Sequence, residues 1–200
     1  MLALDATTLV RVEDAITLGG SLLVGGPAEL DLGGAAVSAG GAITFTEALT
    51  LASDAVLRST GGGLVAALST VDGAGGLRLE TTGDGRLEGD VNVASLTTDA
   101  GGRTILGGDV TTAGAQDWGD EVLVGGTSVL ASTGDATIRF RDRISGAGTL
   151  EVDTAGDTIL EGRVDVGGLL TSGGGLTRLL TDRVVTAGSL VLLDELRLTQ

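Results

Sequence analysis

The chain lacks cysteine, histidine, lysine and tyrosine, and has one proline, one tryptophan, two phenylalanines and one methionine in 200 residues. Without cysteine there is no disulfide frame and no thiol nucleophile, so the redox compartment is not written in the sequence and an extracellular life stays open. With histidine, lysine and tyrosine also missing, the ordinary general bases and activated nucleophiles are gone; only carboxylates, serine and threonine remain. Twelve arginines face 27 carboxylates, a net charge of −15. A phosphate backbone would meet a repulsive field and no basic stripe to reverse it, which excludes nucleic acid as a natural partner. Anionic membrane surfaces are disfavoured for the same reason. No uncharged apolar run reaches the roughly 18 residues of a membrane helix, which predicts no membrane insertion of this segment.

The first residues, MLALDATTLVRVEDAITL, carry Asp5, Arg11, Glu13 and Asp14 where a signal peptide would need an apolar core. The expectation is a fragment whose targeting segments lie elsewhere. Arginine as the only long cation, beside abundant alanine, glycine, leucine and valine, points to a GC-rich bacterial genome. The 36 glycines against one proline do not follow a collagen period, and 42% apolar content is too much for a disordered linker. The chain should fold.

What is there is a repeat. Gly73–Val93, GAGGLRLETTGDGRLEGDVNV, returns as Gly146–Val166, GAGTLEVDTAGDTILEGRVDV, at an offset of 146 − 73 = 73 and with 12 of 21 positions identical, among them Gly73/Gly146, Gly83/Gly156 and Gly89/Gly162. Apolar residues alternate in both copies: Leu77, Leu79, Leu87, Val91 and Val93, then Leu150, Val152, Leu160, Val164 and Val166. That period of two is a strand period, with Glu80/Asp153 and Glu88/Glu161 on the opposite face. A unit so built cannot bury its apolar face alone and needs neighbours stacked on it.

The same offset aligns Gly40–Val71 with Ala113–Ile144, so that Phe45 meets Trp118, Leu49 and Leu51 meet Val122 and Val124, and Gly61 meets Gly134. Leu96–Gly126 returns in part as Leu169–Gly188 with one residue inserted before Val184, which places the insertion in a turn. Leu64–Leu68, LVAAL, has helix propensity, but its register with Thr137–Phe140 predicts a strand. Pro27 sits in a Gly-rich turn, where its missing N–H costs no ladder bond. No linker separates the blocks: residues 1–200 form a single segment with repeat units of about 1–72, 73–145 and 146–200. Apolar clusters every 9 to 10 residues, at two or three strands per coil, predict an all-β parallel β-helix with coils of roughly 18 to 27 residues and three or four coils per repeat. Both ends, VRVEDAITL and LVLLDELRL, read as strands with open edges, from which end-to-end association is expected.

Thr97–Gly126, with Thr111-Thr112-Ala113-Gly114-Ala115-Gln116 before an aromatic at Trp118, and the Gly-Ala-Gly-x-Leu-x-Val pattern of Gly146–Val152 resemble the repeats of filamentous-haemagglutinin-type adhesins. The resemblance covers about Gly73–Gly188. It implies a right-handed parallel β-helix rod, a stalk within a large bacterial exoprotein exported by an outer-membrane partner or as an autotransporter passenger, and a cell-surface receptor or glycan engaged by the parent protein. It carries over no catalytic residue, metal or cofactor.

Each candidate site competes with a structural role. Asp153 with Asp157, or Asp84 with Glu88, could act as a paired-carboxylate glycosidase, the reading behind a polysaccharide-degrading or polysaccharide-binding β-helix. Their recurrence in both copies favours a solvated face and a non-enzyme. Asp117, Asp120 and Glu121 could offer oxygens to calcium but lack a loop that makes six or more converge. The glycine runs Ser59–Val65 and Thr171–Thr177 have neither the lysine nor the following helix of a phosphate loop. Arg139, Arg141 and Arg143 fall on one face of a strand with Phe140 opposite, either a contact for sulfate or a sugar acid or charge balance against adjacent coils. Trp118 reads as core, since Phe45 and Leu192 align with it.

Overall fold

The computed structural model describes residues 1–198; Thr199 and Gln200, the end of the third repeat unit, lie outside the described residues. The described chain is all β. It is a solenoid of ten coils, each laying down one short strand in each of three ten-stranded, all-parallel sheets. The first coil contributes Leu2–Leu4 to the first sheet, Val10–Val12 to the second and Ile16–Leu18 to the third, and the tenth contributes Val184–Thr186, Leu190–Leu192 and Glu195–Leu198. At about 4.8 Å per rung, ten coils stack to roughly 48 Å.

Thirty strands fit because most are only three or four residues long and the corners between them are tight. The spacing of the apolar clusters therefore undercounted the strands. Coil length is read from the first-sheet register Leu2, Leu22, Ile43, Val65, Gly85, Thr104, Val122, Ile144, Val164 and Val184. The shortest step is Thr104 to Val122 (122 − 104 = 18) and the longest are Ile43 to Val65 and Val122 to Ile144 (144 − 122 = 22).

Alternation decides which side chains enter the core. In the second sheet Ala28, Leu49, Val71, Val91, Val110, Leu130 and Val152 lie one above another, all at most 1% exposed. Their outward neighbours Thr50, Asp72, Asn92, Thr111, Ala131 and Asp153 form the parallel outer column. In the third sheet Leu57, Leu79, Thr98, Trp118, Phe140 and Leu160 stack in one interior column. The Trp118 and Phe140 rings are parallel within 7°, with centroids 6.3 Å apart. The core is not purely aliphatic. Thr104, Thr112, Thr158, Thr171 and Thr177 are wholly buried as well, and Thr171 continues the Val152 column.

The expected details fall into place at the corners. The extra residue before Val184 lies in the corner 180–183, which replaces the shorter 107–109. Val65–Ala67 is a strand, paired on both sides. Pro27 occupies a corner and its carbonyl accepts the Val10 N–H at 2.8 Å.

One relationship was hidden in the repeat. Leu77 lies in the third sheet and its mate Leu150 in the second; Phe45 lies in the first and Trp118 in the third. One repeat spans 11 strands, which is three and two-thirds coils rather than three or four. Each copy is therefore turned by a third of a coil about the axis. The corner glycines tolerate this because each meets the same neighbour in either setting. Gly73 (φ 145°) and Gly146 (φ 125°) would drive a Cβ into the carbonyl oxygens of Leu51 and Val124, themselves a repeat apart.

Candidate functional site

The surface is built from what the inward columns leave over, and most of its paired arginines reach a carboxylate on a neighbouring coil. Arg103 Nη2 meets Asp84 at 2.9 Å and Arg178 Nη2 meets Asp157 at 2.8 Å. Arg86 holds Glu88, and Arg58 and Arg78 both hold Glu80. The Arg58 hydrogen bond, opposed by partial burial and helped by Arg78, keeps the Glu80 carboxyl below its ordinary range.

The glycosidase candidates do not form a facing pair. Asp153 projects from the second sheet and Asp157 opens a strand of the third, with the corner 155–156 between them. Asp84 and Glu88 sit at opposite ends of Asp84–Leu87, each turned to its own arginine.

The acidic cluster is likewise divided. Asp117 accepts a two-pronged hydrogen bond from Arg141, at 2.7 and 2.6 Å. Glu121 accepts from the Ser145 hydroxyl. Asp120 turns inward and is 2% exposed. No group of three potential metal-ligating side chains converges among the described residues.

The three arginines do not share one face, which corrects the single-strand expectation. The strand ends at Phe140, so Arg139 stays on the third sheet while Arg141 and Arg143 lie in the corner leading to the first. Arg139 pairs with Glu161, Arg141 with Asp117, and Arg143 with Asp165 at 3.4 Å. Charge balance between coils describes them, with Phe140 buried opposite. The glycine runs Ser59–Val65 and Thr171–Thr177 are corners, no helix following either.

Trp118 (0% exposed), Phe45 and Phe140 (1% each) are all buried, and they are the chain's whole aromatic complement. The described surface thus offers no ring for stacking on a sugar. Open grooves run along the outer flank of the third sheet, among them one lined by Arg58, Ser59, Glu80, Thr81 and Asp99 and another by Gln116, Asp117, Thr137, Arg139 and Ile159.

The polar feature that the sequence reading missed is a corner clip. Asp120 Oδ1 accepts the Gly102 N–H from the coil below at 3.1 Å, and Oδ2 accepts the Thr104 hydroxyl at 3.2 Å. Thr98 Oγ1 accepts the N–H groups of Gly119 and Asp120 at 3.0 and 3.3 Å. The clip is written again. Asp194 accepts the Gly174 N–H and the Thr177 hydroxyl, each at 3.0 Å. The signal was available: Thr104 and Thr177 keep the repeat offset (177 − 104 = 73), and Asp120 and Asp194 exceed it by one (194 − 120 = 74), the extra one being the insertion before Val184. Burial lifts the Asp120 carboxyl to a pKa of about 6, its two hydrogen bonds opposing and the charges of Asp99 and Asp142 adding.

Comparison with family models, curated proteins and solved structures yields no match to this chain. The ten-coil parallel β-solenoid is a repeat-protein fold, and it stands on the residues alone.

Proposed function

We propose that this chain is a stalk segment of a secreted or surface-displayed bacterial adhesin, a non-catalytic spacer that holds a receptor- or glycan-binding region of the parent protein away from the cell. One observation carries the reading: three sheets run unbroken through ten coils over a single continuous core, while Asp84, Asp117 and Asp157 and the three candidate arginines are spent on joining one coil to the next. A spacer needs length and lateral integrity. It needs no convergent site. Export through an outer-membrane partner or as an autotransporter passenger belongs to the same proposal and is supported by the adhesin-like repeats and the acidic, cysteine-free composition.

The competing reading, a polysaccharide-binding or polysaccharide-degrading β-helix, would have to work without an exposed aromatic and with one carboxylate pair split across a corner and the other across a strand. The test is surface attachment by the full-length parent protein. For a stalk, adding or removing whole repeats alters reach and attachment, and Asp153→Ala or Asp157→Ala leaves attachment unchanged. Loss of attachment or of a sugar-cleaving activity on either substitution, with thermal melting unaltered, would overturn the proposal.

A further inference from the structure

The Asp120 clip, like its second copy at Asp194, is built unlike the ion pairs of the rod. Its carboxylate is 2% exposed, is held by one backbone N–H and one hydroxyl, and has no ion pair among the described residues. The charged groups around it come from three levels. Asp99 and Arg103 belong to the corner and strand below, Asp117 and Glu121 flank it on its own coil, and Arg141, Asp142 and Arg143 form the corner above. Every one of these arginines is engaged elsewhere: Arg103 with Asp84, Arg141 with Asp117, Arg143 with Asp165 and, at 4.0 Å, Glu121. What faces Asp120 without a cation are two further carboxylates, Asp99 and Asp142, one coil below and one above. Asp99 is itself tied to the Thr81 N–H at 3.0 Å and Asp142 to the Arg143 N–H at 2.7 Å. The clip also joins the two shortest steps of the first sheet, Gly85 to Thr104 and Thr104 to Val122.

A buried carboxylate with no cation and two neighbouring carboxylates is a group that folding forces toward its neutral form. Neutral, it keeps both contacts: one oxygen still accepts the Gly102 N–H, and the other can donate its proton to the Thr104 oxygen, whose hydroxyl hydrogen rotates away. We infer that Asp120 is an acid-tightened clip, which makes the junction between the fifth, sixth and seventh coils more stable in mildly acidic surroundings than at neutral pH.

The sign follows from linkage. A carboxyl whose folded pKa, about 6, lies above its ordinary value of 3.8 binds more protons folded than unfolded between those values. Stability from this group is fully present below the lower value, falls as pH rises through about 6, and is level above it. The outer bound, from 6 − 3.8 = 2.2, is about 150-fold in the unfolding equilibrium constant.

The experiment pairs carbon-detected NMR titration of the Asp120 carboxyl with thermal melts from pH 4.5 to 8 of the 200-residue chain, Asp120→Asn and Asp153→Asn. Asparagine presents the same oxygen to Gly102 and an N–H to Thr104 without the charge. Expected are a carboxyl midpoint near 6, a melting temperature that climbs on acidification in the parent and in Asp153→Asn, and a flatter profile in Asp120→Asn. An Asp120 midpoint near 4, or an Asp120→Asn profile parallel to the parent's, overturns the inference; the carboxyl titration decides it even if Asp120→Asn fails to fold.

Discussion

Asp84 and Asp157 occupy the same place in the repeat and lie on different faces of the rod. Asp84 opens a strand of the first sheet and pairs with Arg103; Asp157 opens a strand of the third and pairs with Arg178. The arginine is not at the same repeat position: Arg103 is in register with Asp84 itself, whereas Arg178 is in register with Ile159, two residues along. The contact was kept while the register shifted, as expected when a long guanidinium reaches a carboxylate across one rung.

The phase relation gives the first prediction. Excising residues 73–145 joins Asp72 to Gly146 in matching sequence context, so the rod should refold shorter by three and two-thirds coils, about 18 Å, with everything beyond the junction turned by a third of a coil. The chain has no cysteine, so labels on Thr50→Cys and Asp153→Cys can report it. These sites lie on one face of the second sheet, five coils or about 24 Å apart along the axis. Pulsed electron spin resonance should show the separation fall sharply on excision with the all-β circular dichroism retained. An unfolded product would mean that the three sheets are not interchangeable.

Leu150→Asp should do far more damage than Asp153→Ala. Leu150 is wholly buried and an unpaired carboxylate in its place costs several kcal/mol, about enough to open adjacent coils. Asp153 is exposed and its removal costs about 0.5 kcal/mol or less. Denaturant melts of the two variants compare them directly.

Corner conformation offers a pair of opposite effects. Gly146→Ala adds a Cβ against the Val124 carbonyl at positive φ and should lower stability by more than about 1 kcal/mol. Asp135 (φ 57°) is the non-glycine residue with positive φ among the described residues, and the first copy has Gly62 (φ 71°) at that position. Asp135→Gly should therefore be neutral to stabilising by about 0.5–1 kcal/mol. Equilibrium unfolding in urea would separate the two signs.

Glu80 should respond to acid in the direction opposite to Asp120. Its folded pKa is depressed by Arg58 and Arg78, so its contribution is present above the ordinary carboxylate pKa and is lost as pH falls through the lower, folded one. Glu80→Gln should reduce stability at pH 7 and flatten the acid limb below about pH 4. An unchanged acid limb in that variant would show that the arginine contacts carry no linkage.

The sequence by itself determined what each strand is and which way it faces. Alternation at Leu77/Leu79 and Leu150/Val152 sends alternate side chains inward whatever lies above or below them, and the glycines at repeated positions mark the corners. It also settled the likeness of the copies, the burial of Trp118 through its match with Phe45, and the absence of the usual catalytic side chains. Only the tertiary structure decided how many strands make a coil and how the repeat is phased on it. Partners in a parallel ladder lie a whole coil apart, an interval that varies along the rod from the short step Thr104 to Val122 to the long step Val122 to Ile144. All three sheets make the same demand of apolar in and polar out, so one sequence pattern satisfies any of the three. The fate of Asp117, Asp120 and Glu121 was equally out of reach. Three near neighbours in the chain go outward to an arginine, inward to a backbone amide and outward to a serine, because Asp117 sits in one strand, Asp120 in the corner and Glu121 at the start of the next strand, and only the adjoining coils supply the partners.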